Sequence, residues 1–431
     1  MSETVLLVGG GGREHAIARA LDDADLYACA SNRNPGIARL AIEFRTLDET
    51  DPAAVVEYAE AIDASLAVVG PEAPLQAGVV DALESAGVYA FGPRQADARI
   101  ETDKVFQREF MTDHDIGGTP EYAVFHDSES AAGYVETVDG DVAVKPQGLT
   151  GGKGVRVTGD QLMKSEAAAY VRESEYDDWV VEERLVGEEF TVQAFVANGD
   201  VRVTPAVQDH KRAYEGDEGP NTGGMGSYSD ARFALPFMTD EEYDAAVSIV
   251  EETVAALEDY RGVLYGQFML TADGPRVVEF NARFGDPEAM NTLPIMETDF
   301  LDVLTAARDG DPLPELAFDA QATVCKYAVP EGYPTDPQAG ARVTLDEDTV
   351  GDALLFYASV DEREDGIYTT TSRSFAVVGV ADAITDAEAV AEAALADVGD
   401  GFHVRHDIGT EALLERRREH MAAVRDGAAQ D

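Results

Sequence analysis

Val144-Lys145-Pro146-Gln147-Gly148-Leu149-Thr150-Gly151-Gly152-Lys153-Gly154-Val155 carries an apolar strand into a glycine-rich loop and out into a second strand. A loop joining two antiparallel strands differs from the phosphate loops that open a helix, and no Gly-Lys-Ser/Thr ending is present. Lys145 ends the first strand and Lys153 lies in the loop. Glycine-rich backbone with ammonium groups beside it can wrap a polyphosphate and exclude water. The competing reading, two solvated lysines, is weakened by their rarity. The chain has six lysines, Lys104, Lys145, Lys153, Lys164, Lys211 and Lys326, and two of them flank this one cluster.

Moving toward the C-terminus, Val180–Glu183 and Phe190–Ala197 read as strands, and Asn198-Gly199-Asp200 as a turn before a strand over Val201–Val207. The edge of the first can offer backbone donors and acceptors to an adenine, with Glu189 taking ribose hydroxyls. A solvated acidic turn is the competing reading. A hairpin follows, Val263–Thr271 and Arg276–Asn281 around Ala272-Asp273-Gly274. Side chains alternate along a strand, so Glu279, Asn281 and Arg283 share one face while Val278 and Phe280 share the other. An acid and an amide two residues apart are hard oxygen ligands for a Mg²⁺ ion bridging phosphates. Gln267, across the hairpin, adds a third oxygen if it pairs opposite Glu279. Asn is disfavoured in strands, which speaks against a merely polar edge. Gln208-Asp209-His210-Lys211-Arg212 and Pro220-Asn221-Thr222-Gly223-Gly224-Met225-Gly226 read as substrate loops, the backbone N–H groups of 223–226 being able to hold a carboxylate. The seven histidines form no metal signature.

Toward the N-terminus, strands Thr4–Val8, Leu26–Ala30, Leu66–Val69 and Val88–Phe91 alternate with helices over Arg13–Leu21, Pro52–Ile62 and Val79–Ala86. That alternation predicts a doubly wound parallel sheet with its ligand at the carboxyl ends of the strands. Gly9-Gly10-Gly11-Gly12 between strand and helix suits a phosphate, although glycines also serve a tight turn. The dinucleotide fingerprint is incomplete. Position 14 is Glu14, and the second strand ends in Ser31-Asn32-Arg33-Asn34 with no carboxylate for a ribose. This disfavours an oxidoreductase; a sugar phosphate suits Arg33, Asn34 and Gly36 better. Pro330-Glu331-Gly332-Tyr333-Pro334 marks a plausible boundary, after which strand Phe375–Val380 and helix Asp386–Asp397 indicate a small α+β unit.

The 431 residues allow two to four domains at about 100–200 residues each. A hydrophobic fraction of 45% excludes a disordered chain. A net charge of −52, spread along the sequence, argues against nucleic acid or an anionic membrane as partner. A lysine-poor acidic surface fits a protein working in molar salt, where the Debye length falls to about 3 Å. Cys29 and Cys325 form no framework, no apolar run reaches about 18 residues, and Met1-Ser2-Glu3 is no basic leader. A cytoplasmic protein is expected.

The motifs Gly11-Gly12-Arg13-Glu14-His15-Ala16, Val69-Gly70-Pro71-Glu72-Ala73-Pro74-Leu75, 148–154, 208–212, 219–226 and Glu279-Phe280-Asn281-Ala282-Arg283-Phe284-Gly285-Asp286-Pro287-Glu288 span nearly the whole chain. With them the sequence resembles the phosphoribosylamine–glycine ligase family of the ATP-grasp superfamily. The family's Lys-Ala-Asp-Gly stands here as Lys145-Pro146-Gln147-Gly148, and residues after about Tyr327 match more loosely. The resemblance implies an α/β and α+β multidomain chain. It would comprise an N-terminal doubly wound parallel-sheet substrate domain (1–103), an ATP-grasp core of two α+β lobes (104–325, flap lobe about 120–190) and a C-terminal α+β domain (326–431). It implies ATP-dependent joining of glycine to 5-phosphoribosylamine through a glycyl phosphate, in purine biosynthesis, by a monomer or homodimer. By the same resemblance Lys104, Lys145, Gly151, Gly152, Glu183, Leu185 and Glu189 would bind ATP, and Gln267, Glu279 and Asn281 would hold Mg²⁺ or Mn²⁺. Arg283 and Lys153 would be catalytic. Gly12, Arg13, Asn34, Gly36, Glu72, Asp209, Lys211, Gly223, Gly224 and Met225 would bind the other substrates. Two rivals remain: another ATP-grasp ligase or carboxylase acting on an aminoimidazole, and a non-catalytic nucleotide-binding regulator. The latter requires flap lysines or metal ligands to be missing, and they are present.

Overall fold

The computed structural model describes residues 3–148, 154–396 and 398–427. Strands β1 (Thr4–Val8), β2 (Asp25–Ala30), β3 (Glu43–Thr46), β4 (Leu66–Val69) and β5 (Tyr89–Phe91) form a parallel sheet in the order β3-β2-β1-β4-β5. β4 and the Val5–Val8 run of β1 are apolar and buried, as strands covered on both faces must be. The strand order reverses about β1, and the loops 9–12, 31–36 and 70–74 meet at that switch point. β3, absent from the sequence reading, is a short, charged edge strand.

A second sheet, in the order β6-β9-β7-β8, is built from β6 (Tyr122–Phe125), β7 (Val142–Pro146), β8 (Arg156–Val157) and β9 (Trp179–Glu183). β7 and β8 pair antiparallel on either side of the glycine loop. Helices Ser128–Thr137 and Lys164–Glu173 cover this sheet, and Ala132, Val144, Ala168, Val171 and Trp179 give the lobe a core of its own.

The largest sheet joins the middle of the chain to its C-terminal part. Its middle strands are β10 (Glu188–Ala197), β11 (Asp200–Val203), β12 (Val207–Asp209), β15 (Gly226–Ser229), β16 (Gly262–Thr271) and β17 (Gly274–Asn281). Between β12 and β15, a hairpin of β13 (Arg212–Tyr214) and β14 (Glu218–Asn221) stands apart. The expected strand over 201–207 is split by Pro205, which has no N–H for the ladder; β11 ends at Val203 and β12 pairs with β10 and β15. β18 (Ala322–Pro330) is buried over its whole length and passes straight through position 325/326, where the sequence suggests a division. It pairs with β15 on one side and β23 (Phe375–Ala381) on the other, and β20 (Leu354–Tyr357) follows. β19 (Arg342–Val343), β21 (Val360–Arg363) and β22 (Gly366–Thr369) form a small separate sheet, and β24 (Phe402–Val404) pairs with β18. One apolar core runs from Val5–Val8 through Phe195 and Phe280 to Tyr327 and Met421. The three parts of the chain therefore fix one another around a common cleft.

Candidate functional site

The cleft lies where β17, the N-terminal switch point and the glycine-loop lobe converge. The β16–β17 register sets Gln267 opposite Glu279 and Tyr265 opposite Asn281, the pairing that gathers three oxygen-bearing side chains. A β-bulge at Gln267/Phe268 leaves Val278 without a partner. Val277 and Phe280 therefore enter the core, while Val278 lines the cleft. The expected apolar face of Val278 and Phe280 is not formed, because a bulge shifts the alternation by one residue.

Lys211 Nζ donates to Gln267 Oε1 at 2.5 Å and stands 3.9 Å from Glu279 Oε1. Gln267 Nε2 donates to Glu189 Oε2 at 2.6 Å, and Asn281 Nδ2 to Glu279 Oε1 at 3.3 Å. Burial acts to raise the Glu279 carboxyl, but Lys211, Lys145 and Lys104 outweigh it and hold it down to about 2. Burial likewise opposes the charge on Lys211, yet Glu279, Glu189 and Asp209 raise it. One carboxylate and two amide oxygens on one face are a hard donor set suited to Mg²⁺ or Mn²⁺. The ammonium of Lys211 among them shows that the spot attracts positive charge.

Lys145 is buried, 2.8 Å from Glu182 Oε2, and donates to Val278 O at 2.9 Å. Glu182 also accepts two bonds from Arg108, at 2.7 and 3.0 Å. β17 is an outer strand, so its carbonyls need cover. Arg108 Nη2 donates to Val277 O and Val278 O, and Gln107 Nε2 to Phe280 O. Lys104 Nζ donates to Gly148 O at 2.5 Å, at the threshold of the glycine loop. Burial pushes both Lys104 and Lys145 below the ordinary lysine range. Lys153, Gly151 and Gly152 lie outside the described residues. Glu183 turns away from the cleft: it accepts from Arg276 Nη2 at 2.5 Å and from the Glu121 N–H at 2.9 Å. Its neighbour Glu182 is the carboxylate that faces the cleft, as alternation along β9 requires. Leu185 follows β9, half-buried.

At the other end, Arg283 Nη2 lies 3.2 Å from Glu101 Oε1, its Nε lies 3.8 Å from Glu72 Oε2, and its guanidinium stands over the Tyr265 ring. Asp286 accepts from the Tyr327 hydroxyl at 2.7 Å and from Arg373 Nη2 at 3.0 Å. Asp209 and Glu288 also line the cleft. Burial raises both carboxyls, and for Asp209 the neighbouring Glu288 adds to the rise. Glu288 accepts from the Tyr265 hydroxyl, whereas Asp209 Oδ1 is buried without a hydrogen-bond partner among the described residues. The loop 223–226 differs from expectation. The Gly224 N–H donates to Thr222 Oγ1 and the Met225 N–H to His210 O, so neither is free for a carboxylate. The Met225 side chain is in the core. Gly223 lines the cleft.

The N-terminal loops are organised by their own side chains. Glu14 accepts the Gly11 N–H at 2.7 Å and Arg13 Nε at 2.5 Å, so a carboxylate from the helix fills the cradle that the glycines suggest for a phosphate. A Cβ at Gly70 would lie 2.1 Å from Glu14 Oε1, which explains that glycine. Arg13 Nη1 donates to Phe284 O. Asn34 caps helix Pro35–Leu40 by accepting from Gly36 N and Ile37 N, and its Nδ2 donates to Gly10 O and Tyr357 O. Both polar atoms of its side chain are thus engaged by protein. Gly36 admits the His15 ring, and Gly12 lies against Tyr327 and Met290. Sequence reasoning missed Glu101, Arg108, Tyr265, Tyr327 and Arg373, which lie far from the glycine motifs in sequence. Glu182, Asp286 and Glu288 were inside quoted motifs without an assigned part.

With this geometry in hand, comparison with known proteins finds three family models in chain order. These are phosphoribosylglycinamide synthetase N domain over residues 3–101, its ATP-grasp (A) domain over 102–289 and its C domain over 323–411. The phosphoribosylamine–glycine ligase of Methanosarcina barkeri is 52% identical over 434 residues, covering 98% of this chain and 99% of that protein. That of Methanopyrus kandleri is 49% identical, with 98% and 99% covered. Among solved structures, the phosphoribosylamine–glycine ligase of Thermotoga maritima matches with a TM-score of 0.79 and 26% identity, over 94% of this chain and 99% of that one. A biotin carboxylase domain from Hydrogenobacter thermophilus, at 16% identity and a TM-score of 0.72, shares the fold.

Proposed function

The chain belongs to the phosphoribosylglycinamide synthetase family, and from that premise we propose that its cleft joins glycine to 5-phosphoribosylamine, with ATP converted to ADP and phosphate. The observation that carries this reading is a single cleft with two chemically distinct ends. Lys104, Lys145 and the Gln267–Glu279–Asn281 oxygens lie at one end, and Arg283, Gly223 and Glu72 at the other.

A carboxylate is a poor electrophile. In the proposed sequence a glycine carboxylate oxygen attacks the γ-phosphorus, the new P–O bond forms, and the bond to ADP breaks. The ribosylamine nitrogen then attacks the acyl carbon, phosphate leaves with the glycine oxygen, and nitrogen loses one proton. The protein's work in both steps is positioning and charge neutralisation. Lys104 and Lys145 place positive charge on the phosphates, helped by Lys153 and the loop glycines Gly151 and Gly152. Lys145 is held to its post by Glu182 and the Val278 carbonyl. A divalent cation held by Gln267, Glu279 and Asn281 would supply positive charge to offset that of the phosphates. Glu189, Leu185 and the strand end at Glu183 border the nucleoside. Arg283, oriented by Glu101 and Glu72, faces the glycine carboxylate, and the ribosylamine lies against the loops bearing Gly12, Arg13 and Gly36. Because Asn34 has its polar atoms occupied, its part there is to shape the loop. Asp209 and Lys211 stand between the two ends.

ADP release tests the reading. It should require both glycine and phosphoribosylamine, and bicarbonate with an aminoimidazole ribonucleotide should not replace them. ADP release that is indifferent to glycine would refute it.

A further inference from the structure

We propose that Arg373 is a positioning residue for glycine, the one by which the C-terminal part of the chain completes the substrate end of the cleft. The inference rests on the ligase reading above. Arg373 lies between β22 and β23, 150 residues from Gly223 and 87 from Asp286 in sequence, with its side chain 16% exposed. Its own backbone is fixed: Arg373 O accepts the Ser359 N–H at 2.9 Å, and the next residue's N–H, Ser374, donates to Ala328 O.

Its guanidinium joins two loops from different elements. Nη1 donates to Gly223 O at 2.6 Å, to Gly224 O at 3.2 Å and to Asp286 O at 3.3 Å, while Nη2 donates to Asp286 Oδ2 at 3.0 Å. The Tyr327 ring lies under it, 4.6 Å from Cζ to centroid, and the Tyr327 hydroxyl holds the other oxygen of Asp286. Gly223 and Asp286 both line the cleft. Three carbonyl oxygens and a carboxylate make a negative wall, which would repel the carboxylate of glycine. Arg373 neutralises that wall and fixes the spacing of its two halves. It also sets Gly224 against Asp209, whose Oδ1 lies 2.8 Å from where a Cβ of residue 224 would stand. A planar fork with several donors can serve these acceptors together, and a lysine point charge cannot. Arg373 touches neither β17 nor the glycine-loop lobe in any of these bonds, so the ATP end should not feel its loss directly.

The test compares wild type, Arg373→Met and Arg373→Lys by KM for glycine, KM for ATP and melting temperature. Arg373→Met should raise KM for glycine by about tenfold or more with KM for ATP within about twofold, and Arg373→Lys should fall between it and wild type. If Arg373→Met yields no folded protein, the split in KM for Arg373→Lys decides. Unchanged glycine affinity in either folded variant would overturn the proposal. So would a rise in KM for ATP parallel to that for glycine together with a falling melting temperature, the mark of a merely structural tie. A wild-type protein lacking glycine-dependent ADP release would instead sink the ligase reading itself.

Discussion

Glu279 and Glu288 are both carboxylates of the cleft, yet their surroundings push them in opposite directions. Glu279 sits among Lys211, Lys145 and Lys104, which hold its carboxyl down to about 2 against the effect of burial. A carboxyl lowered on folding stabilises the native state above its unfolded value of about 4.3, and that contribution is lost as pH falls toward the folded value. Glu279→Gln should therefore fold with a lower melting temperature than wild type at pH 7, the gap narrowing between about pH 5 and 3. Its kcat should fall on the order of 100-fold or more, because metal and phosphate charge are matched in the transition state. Near-normal turnover would contradict the metal assignment. Glu288 is raised by burial and lies beside Asp209, also raised. A raised carboxyl contributes stability below its unfolded pKa and loses it as pH rises through the folded value. Glu288→Gln should accordingly melt higher than wild type at pH 8, the gain shrinking by pH 5, while ligase activity drops. A melting temperature unchanged across that pH series would contradict the account of an uncompensated acid pair.

At the scale of elements, Asn34 is the fully buried anchor of the loop 31–36. Asn34→Ala would remove a helix cap and the bonds to Gly10 O and Tyr357 O. We expect a loss of about 2–4 kcal/mol in urea unfolding, a cap and a hydrogen bond each contributing about 1 and the buried Tyr357 carbonyl left without this donor adding more. A loss under about 0.5 kcal/mol would mean that the loop is held by something else. The elements themselves were largely legible. β1, β4, β10 and the β16–β17 hairpin carry continuous apolar runs or clear turns, so a strand period is visible in each. The hairpin was legible and left the Gln267–Glu279 pairing conditional on a register that the structure supplies. The Val278 bulge was not legible, since a bulge is a register event between two strands and leaves no mark in one. Glu14 in the glycine cradle and Arg373 behind the Gly223 and Asp286 loops were invisible for a related reason: each depends on a side chain meeting a loop through tertiary packing. β18 hid the 325/326 position because a strand buried by both neighbours reads like any apolar run.

For the whole molecule, the net charge of −52 is a field that no single pair offsets. Self-repulsion at low ionic strength destabilises the compact state, and molar cations screen it. We infer from this charge that melting temperature and ADP release rise together between dilute buffer and about 1 M KCl, where the Debye length is about 3 Å. In the proposed site salt would also weaken the attraction of phosphates to Lys104 and Lys145, but Lys145 is largely shielded and the stability term should dominate. Full stability in dilute buffer would remove the high-salt reading and leave the ligase reading intact. The three parts of the chain close on one cleft, and in the proposed mechanism that closure serves the activation of a carboxylate by phosphoryl transfer. Glycine labelled with ¹⁸O in its carboxylate tests this most directly. With ATP, phosphoribosylamine and Mg²⁺ supplied, the released phosphate should carry one ¹⁸O from glycine for each ligation. Phosphate free of the label, alongside product formation, would contradict the account.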